Sequence, residues 1–345
     1  MIRLENDTLV FSFPNIHPEA HLAIDLQRTL RIPDDDKSYP LPPGLGNFPL
    51  RHIDDFPSRI PAGWAEHGGV MLPMYQSEAL WLNFTGGFIE EHGTDYPFAI
   101  RVATGKVDAV TGKRWRDGLA KTVQNYMVST EQPWLDGYCV EKGFIRQFVA
   151  MPLGAGYTAE EQVTGKAEHG GLQISVHPMK RDAFERHFPR RPDRVHRGDE
   201  YEICDAMVVP SMAASPEMGL APGGRMRQEI YEDPFQPDDW EQDTTSKCFV
   251  HIANSLVWRE ITGERPPTVP ATAKEYAEAG LPWFLHYSDT EAVEGSKTLD
   301  GMKSVAKMGK EKGDVPLASN EPVIPDHIAY IRSGMAAGQV REGGF

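Results

Sequence analysis

Several things are scarce in this chain, and each scarcity narrows what it can be. Three cysteines occur in 345 residues, Cys139, Cys204 and Cys248, far apart and odd in number. That spacing offers no disulfide framework, and without a close pair it lacks the usual structural zinc pattern. Each stands among apolar neighbours, as in GYCVEKG, YEICDAMVV and SKCFVHI, so buried inert thiols are expected. No apolar run is long enough for a membrane helix, and MIRLENDTLVFSF lacks the basic-then-apolar start of a secretory signal. The expectation is a cytoplasmic protein with no membrane insertion. Positive charge is also short, with 35 Lys and Arg against 50 Asp and Glu, a formal charge of -15. Such a surface repels phosphate backbones, so a nucleic-acid partner is not expected.

Catalytic signatures are missing too. No GxSxG elbow is present. His17 and His21 are four apart, but Pro18 follows the first His where a metalloprotease helix needs Glu. Three TGK triplets begin at Thr104, Thr111 and Thr164, and none has the Gly-rich approach and following Ser or Thr of a phosphate loop. They read as hairpin turns, with Gly supplying the dihedral and Lys facing water.

What the chain has in excess is Gly and Pro, 32 and 28 residues, spread as joints between short apolar runs. The fold class this implies is β-rich α+β, with antiparallel or mixed sheets arranged as a sandwich or partly closed barrel. Short peripheral helices and long Pro/Gly-rich loops surround them. Strands are expected over 8–13, 70–75, 79–84, 97–103, 123–129, 144–151 and 172–177, and within YEICDAMVVP. In LQISVHPM, Leu172, Ile174 and Val176 share one face, the alternation of a half-buried strand. Leu22, Leu26 and Leu30, four apart behind Pro18, predict a helix over 18–30. Residues 39–63 are Pro-rich yet apolar, and read as an ordered segment draped over the body. Phe184 and Phe188 suit a short helix, and residues 247–262 begin as a strand and turn helical. Thr272 and Glu275 form a capping box before a helix that Gly280 stops. Residues 298–310 suggest another short helix, and the tail after about 331 reads as frayed.

Four regions follow from these shifts in composition. Residues 1–63 hold a strand, a helix and the draped segment, and 64–180 form a β-rich core. Residues 181–198 are a basic connecting arm. Residues 199–345 are a second β-rich half with an acidic loop and short helices, continuous with 64–180 as one domain or separate from it. The contrast is sharp: 180–197 carries seven Lys or Arg against three acids, and Asp199 to Asp243 carries twelve acids and two Arg. The stretch after YEICDAMVVP, from MAASPEMGL to EQD, reads as loop.

Candidate site residues come from four places. AEHGG occurs at 65–69 and again at 167–171, each time before a strand. This is the mark of a duplication or of a shared turn solution that needs glycine. Either way Glu66, His67, Glu168 and His169 become candidates for a metal or acid–base cluster, if they converge. In QPWLDGYC, Asp136 lies between Trp134 and Tyr138. An aromatic–acid group suits a sugar or small polar ligand, although Asp136-Gly137 is first read as a turn pair. Arg146 interrupts the alternation of FIRQFVAMPL and joins the catalytic candidates. Finally Glu232, Asp233, Asp238, Asp239, Glu241 and Asp243 offer oxygen ligands for a divalent cation, with Pro234 and Pro237 breaking the regular calcium-loop spacing. No organic cofactor is implied.

Two functional readings result. The first is a noncatalytic structural or assembly protein, a homo-oligomer joined through complementary basic and acidic surfaces. The alternative is a β-rich enzyme or small polar-ligand-binding protein. Its site would draw His and carboxylate residues from distant segments.

Overall fold

The computed structural model describes residues 1–190, 217–288, 290–315 and 320–332. The fold is mixed α+β, and among the described residues seventeen strands join one large, mainly antiparallel sheet edged by short helices. Its spine runs Ile2–Glu5, Thr8–Ser12, His21–Thr29, Ala79–Gly86, Phe144–Pro152, Glu217–Arg227, Ser246–Asn254, Leu172–Pro178 and Phe98–Thr104, all antiparallel pairs. Parallel pairs join Ser246–Asn254 to Val70–Met74 and Glu217–Arg227 to Ser38–Tyr39. Among the described residues no pairing closes the sheet into a barrel. The sheet curls nonetheless: Phe13 packs on Phe98 of the last spine strand, ring centroids 5.8 Å apart. The main apolar cluster includes Phe11, Leu22, Leu82, Phe98, Phe148 and Val250, with smaller clusters around Trp258 and around Val149.

The segment 18–30 is where the expected helix gives way. His21–Thr29 is a strand with Leu22, Ile24 and Leu26 buried and His21, Ala23, Asp25 and Gln27 more exposed. A four-residue spacing fits one face of a helix and one face of a strand equally well. Ile24 decides between them, because only in a strand does it join the face of Leu22 and Leu26. The expected loop after 211 is also corrected. Glu217–Arg227 is an eleven-residue strand despite Pro222, Gly223 and Gly224. Its glycines reflect packing: a Cβ on Gly223 would lie 2.4 Å from Val149 Cγ2, and one on Gly224 2.4 Å from the Pro33 carbonyl oxygen. Of the strand expected over 123–129, only Met127–Val128 pairs.

Other expectations hold. Tyr39, Leu41, Phe48, Leu50 and Ile53 of the draped segment are buried. The Thr272 and Glu275 side chains make their reciprocal cap on helix Ala273–Glu278, and Ser246–Asn254 runs into helix Ser255–Thr262. Cys139 and Cys248 are free and buried, whereas Cys204 lies outside the described residues, as do YEICDAMVVP and the tail beyond 332. Of the TGK triplets, Thr104-Gly105-Lys106 is a hairpin turn with φ of 52° and 59° at Gly105 and Lys106. Gly165 instead caps a helix, and Thr111-Gly112-Lys113 is a turn within a longer loop. Among the described residues no helix is long and apolar enough to cross a membrane.

Buried ion pairs and hydrogen bonds tie distant segments together. Arg28 donates through Nε and Nη2 to Glu78 Oε1 at 2.9 and 2.7 Å, and both residues are buried. Burial pushes the Glu78 carboxyl up, and Arg28 opposes that shift. Leaving one member of such a pair alone in the interior costs about 3–5 kcal/mol. Glu78→Leu should therefore lower the unfolding free energy measured in urea by that amount, and adding Arg28→Met should recover part of the loss. A double variant no more stable than Glu78→Leu alone would contradict the pairing.

Candidate functional site

Asp136 is a buried carboxyl group whose only side-chain hydrogen-bond partner among the described residues is an amide. It does not occupy a hairpin turn, as the Asp-Gly pair suggested, but links strands Trp134–Leu135 and Gly137–Glu141. Its carbonyl accepts the Phe148 N–H at 3.0 Å. Gly137 is needed here for close approach, since a Cβ on it would lie 2.0 Å from the Arg146 carbonyl oxygen. The pairing with Phe144–Pro152 thus holds Asp136 at 2% exposure. Gln228 clasps it twice: Nε2 donates to Asp136 Oδ2 at 2.7 Å, and Oε1 accepts the Asp136 N–H at 3.0 Å. Burial pushes the carboxyl up to about 7, and the amide of Gln228 offsets this only in part.

Asp136 also lines a pocket of about 340 Å³, together with Leu41, Pro42, Pro43, Gly44, Trp81, Trp134, Phe284 and Ile331. Trp81 and Trp134 form a corner, ring centroids 6.4 Å apart at 75°. Behind Trp134 stands His286, edge-on at 4.9 Å, with its Nδ1 3.0 Å from the Tyr231 hydroxyl. Burial lowers the pKa of His286, which favours the neutral ring. Among the described residues Asp136 is the one ionisable side chain on the pocket wall. A carboxyl group titrating near neutrality on an aromatic wall can bind a cation, donate a hydrogen bond or exchange a proton.

Arg146 does not take part. Its Nη1 donates to the Gly223 carbonyl at 3.3 Å and lies 3.8 Å from Asp34.

The repeated AEHGG segments do meet. Val70–Met74 and Leu172–Pro178 flank the same strand, Ser246–Asn254, one parallel and one antiparallel to it. That opposite polarity favours a shared turn solution. A Cβ on Gly69 would lie 2.1 Å from the Phe249 carbonyl oxygen, and one on Gly171 2.4 Å from that of Val250. His67 and His169 rings stand 5.9 Å apart, and His251 of the shared strand is 6.3 Å from His67. His67 Nδ1 bonds the Gly63 carbonyl at 2.6 Å, and His251 Nε2 the Gly68 carbonyl at 3.0 Å. His251 is buried between Trp64 and Phe249, which lowers its pKa to about 4. The acids do not join the cluster. Glu66 is exposed, and Glu168 is exposed and pairs with Lys166 at 2.8 Å. Glu160, which no motif pointed to, accepts the backbone N–H groups of Glu168, His169 and Gly170.

In the acidic loop Asp233 accepts from the Phe235 N–H, Trp240 Nε1 and the Tyr126 hydroxyl. Asp239 binds Arg186 at 2.5 Å and His187 at 2.8 Å. The described part of the basic arm, helix Arg181–His187, therefore meets the acidic loop within one chain. Asp238 and Asp243 are exposed. Among the described residues no three His, Cys, Asp or Glu are placed to hold a metal ion.

Comparison with family models, curated proteins and solved structures finds no match. The functional reading therefore rests on the geometry.

The titration of Asp136 has a definite sign. Its folded pKa, about 7, lies above its value of 3.8 in a solvated chain. The neutral carboxyl's contribution to stability is thus full below the unfolded value and is lost as pH rises through the folded one. An amide in its place cannot ionise. The stability of Asp136→Asn relative to the native chain should grow by roughly 4 kcal/mol from about pH 4 to pH 8. Urea denaturation of both proteins across that range measures it, and a pH-independent difference would contradict the buried state of Asp136.

Proposed function

We propose that this is a small polar-ligand-binding protein whose site is the Asp136 pocket, and that it recognises a compact substituted ammonium group. The observation carrying the reading is a single buried acidic residue lining a pocket that two indoles set at a corner also line. Electron-rich ring faces attract organic cations, most strongly when water is excluded. Trp81, Trp134 and Phe284 supply three aromatic walls, and Pro42 and Pro43 add apolar surface suited to methyl groups. A bound cation also favours the ionised form of Asp136, which burial alone resists. The volume, about 340 Å³, falls in the usual range for small-molecule sites.

The assembly reading drew on complementary basic and acidic segments, and in their described parts Arg186 and His187 already engage Asp239 within the same chain. A ligand site formed by carboxylate and His residues from distant segments fits the pocket better, with Asp136 on its wall and His286 behind Trp134.

Calorimetry with choline and its uncharged isostere 3,3-dimethylbutanol tests the proposal. Choline should bind at least about tenfold more tightly than the isostere. Its affinity should rise with pH through neutrality as Asp136 ionises, and Asp136→Asn or Trp134→Ala should abolish the preference. Equal affinities, or choline binding unchanged by both substitutions, would overturn it.

A further inference from the structure

A second cleft, of about 920 Å³, lies under the loop that follows strand Phe98–Thr104. Four cationic side chains line it, Arg101, Lys113, Arg114 and Arg116, against two acids, Asp108 and Asp117. Both acids are already engaged. Asp108 Oδ1 accepts from the Val110 and Thr111 N–H groups and the Thr111 hydroxyl at 3.1, 2.8 and 2.9 Å, and its Oδ2 faces Arg101 at 3.4 Å. Asp117 takes Lys247 Nζ at 2.7 Å and Trp115 Nε1 at 3.2 Å.

Lys113, Arg114 and Arg116 are exposed and make no ion pair among the described residues. In a chain of net charge -15, three such cations lining one cleft are a local reversal of sign. Arg101 anchors the loop that carries them. It is 2% exposed, donates through Nη1 to the Arg116 and Gly118 carbonyls at 2.6 and 3.0 Å, and stacks on Trp115 at 3.9 Å. Its buried Nε has no hydrogen-bond partner among the described residues. Leu119, Val123 and Val163 add apolar surface to the lining, and Val123 is 52% exposed; Arg114 Nη2 also reaches the Thr164 carbonyl beside Val163 at 3.4 Å.

We infer that this cleft binds a small organic phosphate. Its multiply charged end would meet Lys113, Arg114 and Arg116, and its less polar body would lie on Leu119, Val123 and Val163. Guanidinium groups match phosphoryl oxygens in charge and in planar geometry. The apolar wall gives a reason for a phosphate ester over a bare anion. The site is separate from the Asp136 pocket and shares no lining residue with it.

The test is calorimetry on the full chain with ATP and inorganic pyrophosphate as probes. ATP should bind about tenfold more tightly than pyrophosphate, and weaken steeply with salt. The exposed pair Arg114→Ala and Arg116→Ala should together lower ATP affinity by at least about tenfold, while Lys274→Ala, a distant surface change, leaves it unchanged. Asp136→Asn should also leave ATP binding intact, which separates this site from the ammonium pocket. No saturable ATP binding, equal affinity for the two probes, or affinity unchanged in the double variant would overturn the inference.

Discussion

A carboxyl group shut away from water with an amide as its side-chain partner is the constraint on which the functional account depends. Ionising Asp136 in place would leave its charge poorly compensated, so the structure keeps it near neutrality, titrating around 7. Burial maintains that state: Gly137 lets the backbone press against Arg146 and Gln147, which keeps Asp136 out of water, while the Gln228 amide, reaching the carboxyl from the next strand but one, offsets part of the shift. A group held this way responds strongly to any charge brought beside it. The same burial that disfavours the free anion would strengthen its attraction to a bound cation.

The sheet supplies the rigidity this requires. Residues 81, 134–136 and 228 come from the paired strands or their immediate continuations, while residues 41–44 and 284 are joined by a bridge between Leu41 and Phe284. Elsewhere the same economy of buried polar groups recurs. Gln147, fully buried, accepts the Ile32 N–H at 3.1 Å and donates to the Leu30 carbonyl at 2.8 Å, fixing the chain where it leaves strand His21–Thr29. Such satisfied contacts define one packing for the curled sheet. The histidine cluster at residues 67, 169 and 251 lies on a different part of it, where two chain segments turn onto one shared strand.

Much of the strand content was legible because alternation of side chains is a local signal, as in Leu172, Ile174 and Val176. It failed where local patterns are shared or contradicted. Leu22, Leu26 and Leu30 satisfy helix and strand alike, and Glu217–Arg227 looks like a loop because its glycines answer to Val149 and Pro33, far away in sequence. For the site, the sequence offered Asp136 beside Trp134, and the repeated AEHGG brought out His67 and His169. Trp81, Phe284, Pro42, Pro43 and Gln228 carry no motif, and only the pairing of strands places them around Asp136. Arg146 drew notice by breaking alternation, and a register shift in its strand between Arg146 and Phe148 accounts for that break.

The most direct measurement is the titration of the Asp136 side-chain carboxyl carbon by NMR, with and without choline. The account predicts a midpoint near 7 in the free protein, falling when choline binds. A midpoint close to 3.8, unmoved by choline, would show a solvated carboxylate and contradict the proposed site.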